Sequence, residues 1–145
     1  MNNNIQDIYN SLQEITWYFG NHGIDGECCG DLSLVEFMAL KQVYENKNIS
    51  IQEIGTALNF TKSGATRIID RLENKGYALR ERSPIDGRIC CVQLTIKGTE
   101  TVSAIMENYI IHLERMLKDL DPEMVSQVKN ALEILFVSIR RQRFI

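Results

Sequence analysis

Residues 49–98 read ISIQEIGTALNFTKSGATRIIDRLENKGYALRERSPIDGRICCVQLTIKG, and the order of helix, turn, helix and hairpin signals in this stretch decides the fold. Thr61 is a good N-cap for the segment KSGATRIIDRLENKG, and Gly76 falls where a helix commonly ends in left-handed backbone. Within that segment Ala65, Ile68, Ile69 and Leu72 line one face, while Lys62, Ser63, Thr66, Arg67, Asp70 and Arg71 fall largely elsewhere. One face packs and the other is left to read a partner. The preceding SIQEIGTALN opens with Ser50 as N-cap and Glu53 as its capping-box partner, and Ile51, Ile54, Ala57 and Leu58 form its apolar face. Asn59 and Phe60 then turn the chain into Thr61.

A pair of short helices joined by such a turn is the unit that places its second helix in the major groove of a duplex. After Gly76 the period becomes alternating. Residues 77–82 and 89–95 read as strands around Ser83-Pro84-Ile85-Asp86-Gly87-Arg88, a loop of turn formers. Arg80, Arg82 and Arg88 place cations on or near the hairpin tip, and Asp86 is close enough to hold Arg88 by paired hydrogen bonds. On an isolated hairpin these charges would simply be solvated. Directly behind a helix-turn-helix, they suit an arm that follows a phosphate backbone or enters a minor groove.

The run from ISIQEIGTALNFTKSGATRIIDRLENKGYALRER through DGR to VQLTIKG resembles the MarR family of bacterial transcriptional regulators, with its D-x-R wing signature and the L-T-x-x-G that opens the next helix. The resemblance extends over essentially the whole chain. It implies a homodimer on a pseudo-palindromic operator, with terminal helices forming the dimer and winged lobes reaching double-stranded DNA. Matched by position, Lys62, Ser63, Gly64, Thr66 and Arg67 would face the major groove, and Arg88, oriented by Asp86, the minor groove; Thr61, Arg71 and Arg82 complete the expected DNA-binding set. Many members carry a second basic residue before the wing arginine, where this chain has Gly87.

The expected fold is mainly α with a small β-hairpin wing, about six helices and two to three short strands. The winged helix-turn-helix lobe spans 33–98, and dimerisation helices span 4–20 and 99–145. Ile5, Ile8, Leu12, Ile15 and Phe19 form a stripe in the first helix, flanked by Tyr9, Thr16, Trp17 and Tyr18. Ser33 and Glu36 start a second helix over Leu34 to Tyr44. From Lys97 to about Leu120 the core face is Val102, Ile105, Met106, Tyr109, Leu113 and Leu117. Asp121-Pro122 opens the last helix, whose apolar face is Met124, Val128, Leu132, Leu135, Phe136 and Ile139. These helices are longer and more apolar than one lobe needs, which points to a partner copy.

The 145 residues carry a net charge of −3, unevenly spread. Residues 50–98 hold eight Lys/Arg against five Asp/Glu, a balance of +3, whereas residues 1–49 stand at −5 and residues 99–145 at −1. Positive charge therefore concentrates in the segment expected to meet phosphate. No run approaches a membrane span and no charged-then-apolar leader opens the sequence, so a cytoplasmic protein is expected.

Four cysteines occur as the adjacent pairs Cys28-Cys29 and Cys90-Cys91, with no framework of spaced pairs, so a disulfide scaffold is not expected. Cys90 and Cys91 fall on a strand, point to opposite faces and read as packing residues. Cys28-Cys29 lies in the glycine-rich GIDGECCGD, where no apolar period demands cysteine. Two readings stand there. The thiols, with His22 and Asp31 nearby, sense a metalloid or oxidant, or they are inert: Glu27 and Asp31 would raise a thiol pKa, and two thiols complete no tetrahedral site.

A small aromatic effector is the competing mode of release, with Trp17, Tyr18, His22, Phe37 and Met38 as lining residues or, more economically, as core. No cofactor or metal is expected, and the chain contains no G-x-S-x-G, H-E-x-x-H or phosphate loop, so no enzyme is expected. The expected function is a sequence-specific repressor, released from its operator by a small-molecule or thiol-reactive effector. The rival class is a winged-helix protein–protein interaction module without DNA binding.

Overall fold

The computed structural model describes residues 2–21 and 31–143. Its elements run α1 (Asn3–Asn21), α2 (Leu34–Glu45), α3 (Ile51–Leu58), α4 (Lys62–Asn74), β1 (Ala78–Arg82), β2 (Cys90–Leu94), α5 (Ile96–Met116) and α6 (Pro122–Arg143). This is the mainly helical, winged arrangement expected from sequence, with a single two-stranded hairpin among the described residues.

Side-chain caps set the helix starts. Ser33 and Ser50 each accept from the backbone N–H three residues on, and Glu36 and Glu53 accept from the cap N–H in return. Thr61 caps α4 through Gly64 N–H at 3.0 Å. Asp121 caps α6 through Met124 N–H at 2.9 Å. Each cap satisfies an amide that helix geometry leaves without an internal acceptor. Asn59 ends α3 at φ 59°, left-handed backbone that asparagine tolerates and that bends the chain sharply into α4.

The core lies between α2, α3, α4, the hairpin base and the first half of α5. Leu40, Ile54, Ile69, Leu72, Val92, Val102 and Ile105 are its largest fully buried side chains. Burying each stabilises the lobe by roughly 1.5–3 kcal/mol. In the hairpin Ala78 lies opposite Leu94 and Arg82 opposite Cys90. Val92 N–H also reaches Ile49 O at 2.9 Å, so the chain entering α3 adds a short third contact to the sheet.

Two glycines fix how α4 leads into the wing and the wing into α5. Gly76, at φ 82°, makes the turn after α4. At Gly98 a Cβ would overlap the Tyr77 carbonyl, so only glycine lets α5 begin this close to β1.

The terminal helices behave differently. Every described residue of α1 before Tyr18 is exposed, and along α6 only Leu135 is even half-buried through residue 142. The chain meets α1 through aromatic contacts: Tyr18 Oη lies 2.9 Å from His112 Nε2, and Phe19 stacks on Tyr109. The core face expected for α5 holds only at its start. Val102 and Ile105 are buried, Met106 and Tyr109 are half-buried, and Leu113 is exposed because the helix has already passed beyond the lobe. The helix also ends at Met116, short of Leu120. Cys91 is buried as expected, its thiol facing Asn48 O at 3.2 Å, but Cys90 is exposed, because the outer face of β2 has no layer over it.

Candidate nucleic-acid interface

Helix α4 separates its residues into two faces. Ala65, Ile68, Ile69 and Leu72 are buried, while Thr61, Lys62, Ser63, Arg67, Asp70 and Arg71 are exposed. Thr61, Lys62, Ser63, Thr66 and Arg67 line an open depression of about 660 Å³ at the N-terminal half of the helix. Gly64 is half-buried there, its Cβ position 3.1 Å from Thr61 Oγ1. All three hydroxyls are already engaged locally. Thr66 Oγ1 donates to Lys62 O at 2.9 Å, and Thr61 and Ser63 share a hydrogen bond at 3.2 Å. Lys62, Arg67, Arg71 and Arg82 form no ion pair among the described residues. Of these, Lys62 stands in the first turn of α4, at the electropositive end of the helix, where an unpaired cation and the free amides favour an anion, whereas Arg71 lies in its last turn and Arg82 on β1.

The wing projects beside this face. Asp86 holds Arg88 as its two-residue spacing suggested: Arg88 Nε donates to Oδ1 at 3.1 Å, Nη2 to Oδ2 at 3.3 Å, and the Arg88 N–H to Oδ1 at 3.1 Å. The Arg88 guanidinium keeps the Asp86 carboxyl below the usual carboxylate range. The Arg88 side chain is 92% exposed, so this pairing aims the charge without covering it.

Arg80 departs from expectation. It points back onto α4, where Nη1 donates to Glu73 Oε1 at 2.6 Å, Nη2 to Asp70 Oδ1, and its own N–H to Glu73 Oε2 at 3.0 Å. The cation is spent on two carboxylates of α4, and it ties β1 to the helix rather than adding charge to the tip. Asp70 and Glu73 lie on the flank of α4 that β1 packs along, a proximity no local spacing in the sequence reports.

A second network was also silent in the sequence. Glu36 is buried, and Lys75, at the end of α4, meets it with Nζ 2.9 Å from Oε2 and a hydrogen bond to Oε1 at 3.2 Å. Lys75 Nζ also donates to Asp31 O at 2.5 Å, and Tyr77 Oη to Asp31 Oδ1 at 2.5 Å. Burial raises the Glu36 carboxyl, but the hydrogen bonds from Lys75 and Ser33 outweigh it and leave it below its ordinary value. Burial and the Asp31 carboxylate push the Tyr77 hydroxyl up to about 12. The network joins the chain entering α2 to the end of α4.

Phe37 and Met38 line a cleft of about 330 Å³ with Leu34, Lys41, Met106, Tyr109 and Ile110, between α2 and α5. Tyr18 turns instead to His112, and Trp17 is 67% exposed. His22, Cys28 and Cys29 lie outside the described residues. Among the described residues no helix is long and apolar enough to cross a membrane.

Residues 32–90 match the family model of MarR. Over 93 residues the chain is 31% identical to the transcriptional regulator YkoM of Bacillus subtilis, a region spanning 64% of this chain and 60% of YkoM. It is 34% identical over 101 residues to the transcriptional repressor MprA of Escherichia coli, spanning 66% of this chain and 57% of MprA. The matched region is thus under two thirds of either relative. Among solved structures, a MarR family protein from Bacillus stearothermophilus superposes with a TM-score of 0.83 at 19% identity, over 97% of this chain and 99% of that one. Streptococcus pneumoniae FabT in complex with DNA superposes with a TM-score of 0.72 at 20% identity, over 97% and 96%. The winged lobe, the matched segment and these relatives agree: residues 32–90 form a MarR-type domain, and the chain as a whole shares the fold of a MarR family protein.

Proposed function

We propose that the chain is a cytoplasmic, sequence-specific transcriptional repressor that binds a pseudo-palindromic operator as a homodimer. The observation that carries this reading is the exposed row Thr61, Lys62, Ser63 and Arg67 on the face of α4 opposite its buried one, with unpaired cations and a wing arginine beside it. Residues 33–98 form the DNA-binding lobe, and 4–20 with 99–145 the dimerisation helices. Ile5, Ile8, Leu12 and Ile15 on α1 and Met124, Val128, Leu132, Phe136 and Ile139 on α6 are 36–57% exposed in the single chain, an apolar surface that supports a second copy. That FabT was solved with DNA and that MprA is a repressor support the reading by analogy.

A small aromatic effector suits the cleft between α2 and α5, with Lys41 to meet an acidic group. The thiol route through Cys28 and Cys29 is carried by sequence alone. Substituting both by serine leaves release by arsenite or peroxide intact if that route is wrong and abolishes it if it is right. The central reading is tested by sedimentation of the protein with a duplex from its own promoter. Two protomers per duplex is the expected stoichiometry; folded protein that binds no duplex overturns the reading.

A further inference from the structure

The wing tip is apolar as well as cationic. Ile85 is 95% exposed and Ile89 45% exposed, and together they bracket Arg88. Isolated exposed aliphatics are ordinary. Here, however, the backbone that carries them is held in place. Ser83 Oγ accepts from Ile85 N–H and Asp86 N–H, both at 3.2 Å, Ile89 N–H donates to Asp86 O at 3.0 Å, and Ser83 N–H to Ile89 O at 2.9 Å. Turn positions favour polar residues, so a rigid tip that presents isoleucine to water is costly unless something covers it. Nothing approaches the Cβ position of Gly87 within 4 Å, which leaves the tip narrow between Ile85 and Arg88.

We propose that Ile85 is an apolar minor-groove contact that gives the wing a preference for A·T pairs flanking the operator. The inference rests on the DNA-binding reading above. A minor groove is about 6 Å wide, enough for one aliphatic side chain beside one guanidinium, and its walls are deoxyribose C–H surface. A·T tracts narrow the groove around such a wedge, whereas G·C pairs raise an amino group from the floor. The bare Gly87 lets the sugar walls close on the tip. Because isoleucine displaces no counterions, its contribution is independent of salt, unlike that of Arg88.

The test uses Ile85→Ser on a duplex selected from a random-sequence library by the wild-type protein, with binding followed by fluorescence anisotropy across salt concentrations. Affinity should fall roughly tenfold, as for an apolar side chain about half covered on binding, with the slope of log K against log[salt] unchanged. Wild type should bind more weakly when flanking A·T pairs become G·C and recover with inosine·C pairs, which lack the amino group; Ile85→Ser should distinguish the three less sharply, keeping only the preference that Arg88 confers. Arg88→Ala, in contrast, should lower both affinity and slope. Unchanged affinity in Ile85→Ser, or a loss accompanied by a shallower slope, overturns the proposal. A wild-type protein that binds no duplex removes the DNA-binding reading itself, whereas wild-type binding with an indifferent Ile85→Ser removes only the role of Ile85.

Discussion

Replacing Lys75 with methionine tests the buried end of α4. Glu36 is 4% exposed and keeps its hydrogen bond from Ser33 N–H at 3.2 Å, but the substitution removes its only cation among the described residues. Stranding one partner of a fully buried pair costs about 3–5 kcal/mol. The Lys75 side chain is 30% exposed, so water reaches the site and the expected loss is about 2 kcal/mol, or a melting temperature lower by about 6 °C. Urea unfolding at pH 7 and pH 4 provides the assay.

The sign of the pH dependence follows from Glu36, whose folded pKa lies below its unfolded value. Its ionised form therefore stabilises the wild type fully above the unfolded pKa and ceases to do so as pH falls through the folded one. In Lys75→Met only the Ser33 hydrogen bond still opposes burial, so acid relieves the variant while it weakens the wild type, and the gap between them should narrow at pH 4. The double variant Glu36→Gln, Lys75→Met should recover more than half of the loss at pH 7. A deficit equal at both pH values, or a double variant no better than the single, would refute the electrostatic account of this network.

Other substitutions separate the roles assigned to the remaining residues. Arg67→Ala should weaken operator binding by roughly 1–3 kcal/mol and relax base preference at one position per half-site in a binding-site selection; equal weakening on all sequences would make Arg67 a phosphate contact instead. Asp86→Ala should lower affinity less than Arg88→Ala, since it frees the guanidinium without removing it, and both variants should melt with the wild type. Gly98→Ala should destabilise the lobe by roughly 2 kcal/mol or more in thermal unfolding, because the added methyl meets the fixed Tyr77 carbonyl.

The fold was legible because its signals are local. Ser33, Ser50, Thr61 and Asp121 announce helix starts within three residues, and Gly76 a helix end, so caps and period could be read one segment at a time. The Asp86–Arg88 pair was legible for the same reason. Arg80 was misplaced because its partners Asp70 and Glu73 belong to another element, and only the packing of β1 along α4 brings them within reach. Lys75 and Glu36, 39 residues apart, were invisible for the same cause. The apolar period of α5 marked a face correctly but not what covers it: the face is buried by the lobe at Val102 and Ile105 and left open at Leu113. Period reports that a surface is apolar, and length alone hints that a second chain completes it.

The salt dependence of operator binding tests the central claim most directly. If two lobes present Lys62, Arg67, Arg71, Arg82 and Arg88 to one duplex, log K should fall linearly with log[salt] with a slope of about −4 or steeper for the dimer. A slope near zero, or binding indifferent to the presence of duplex DNA, would contradict it.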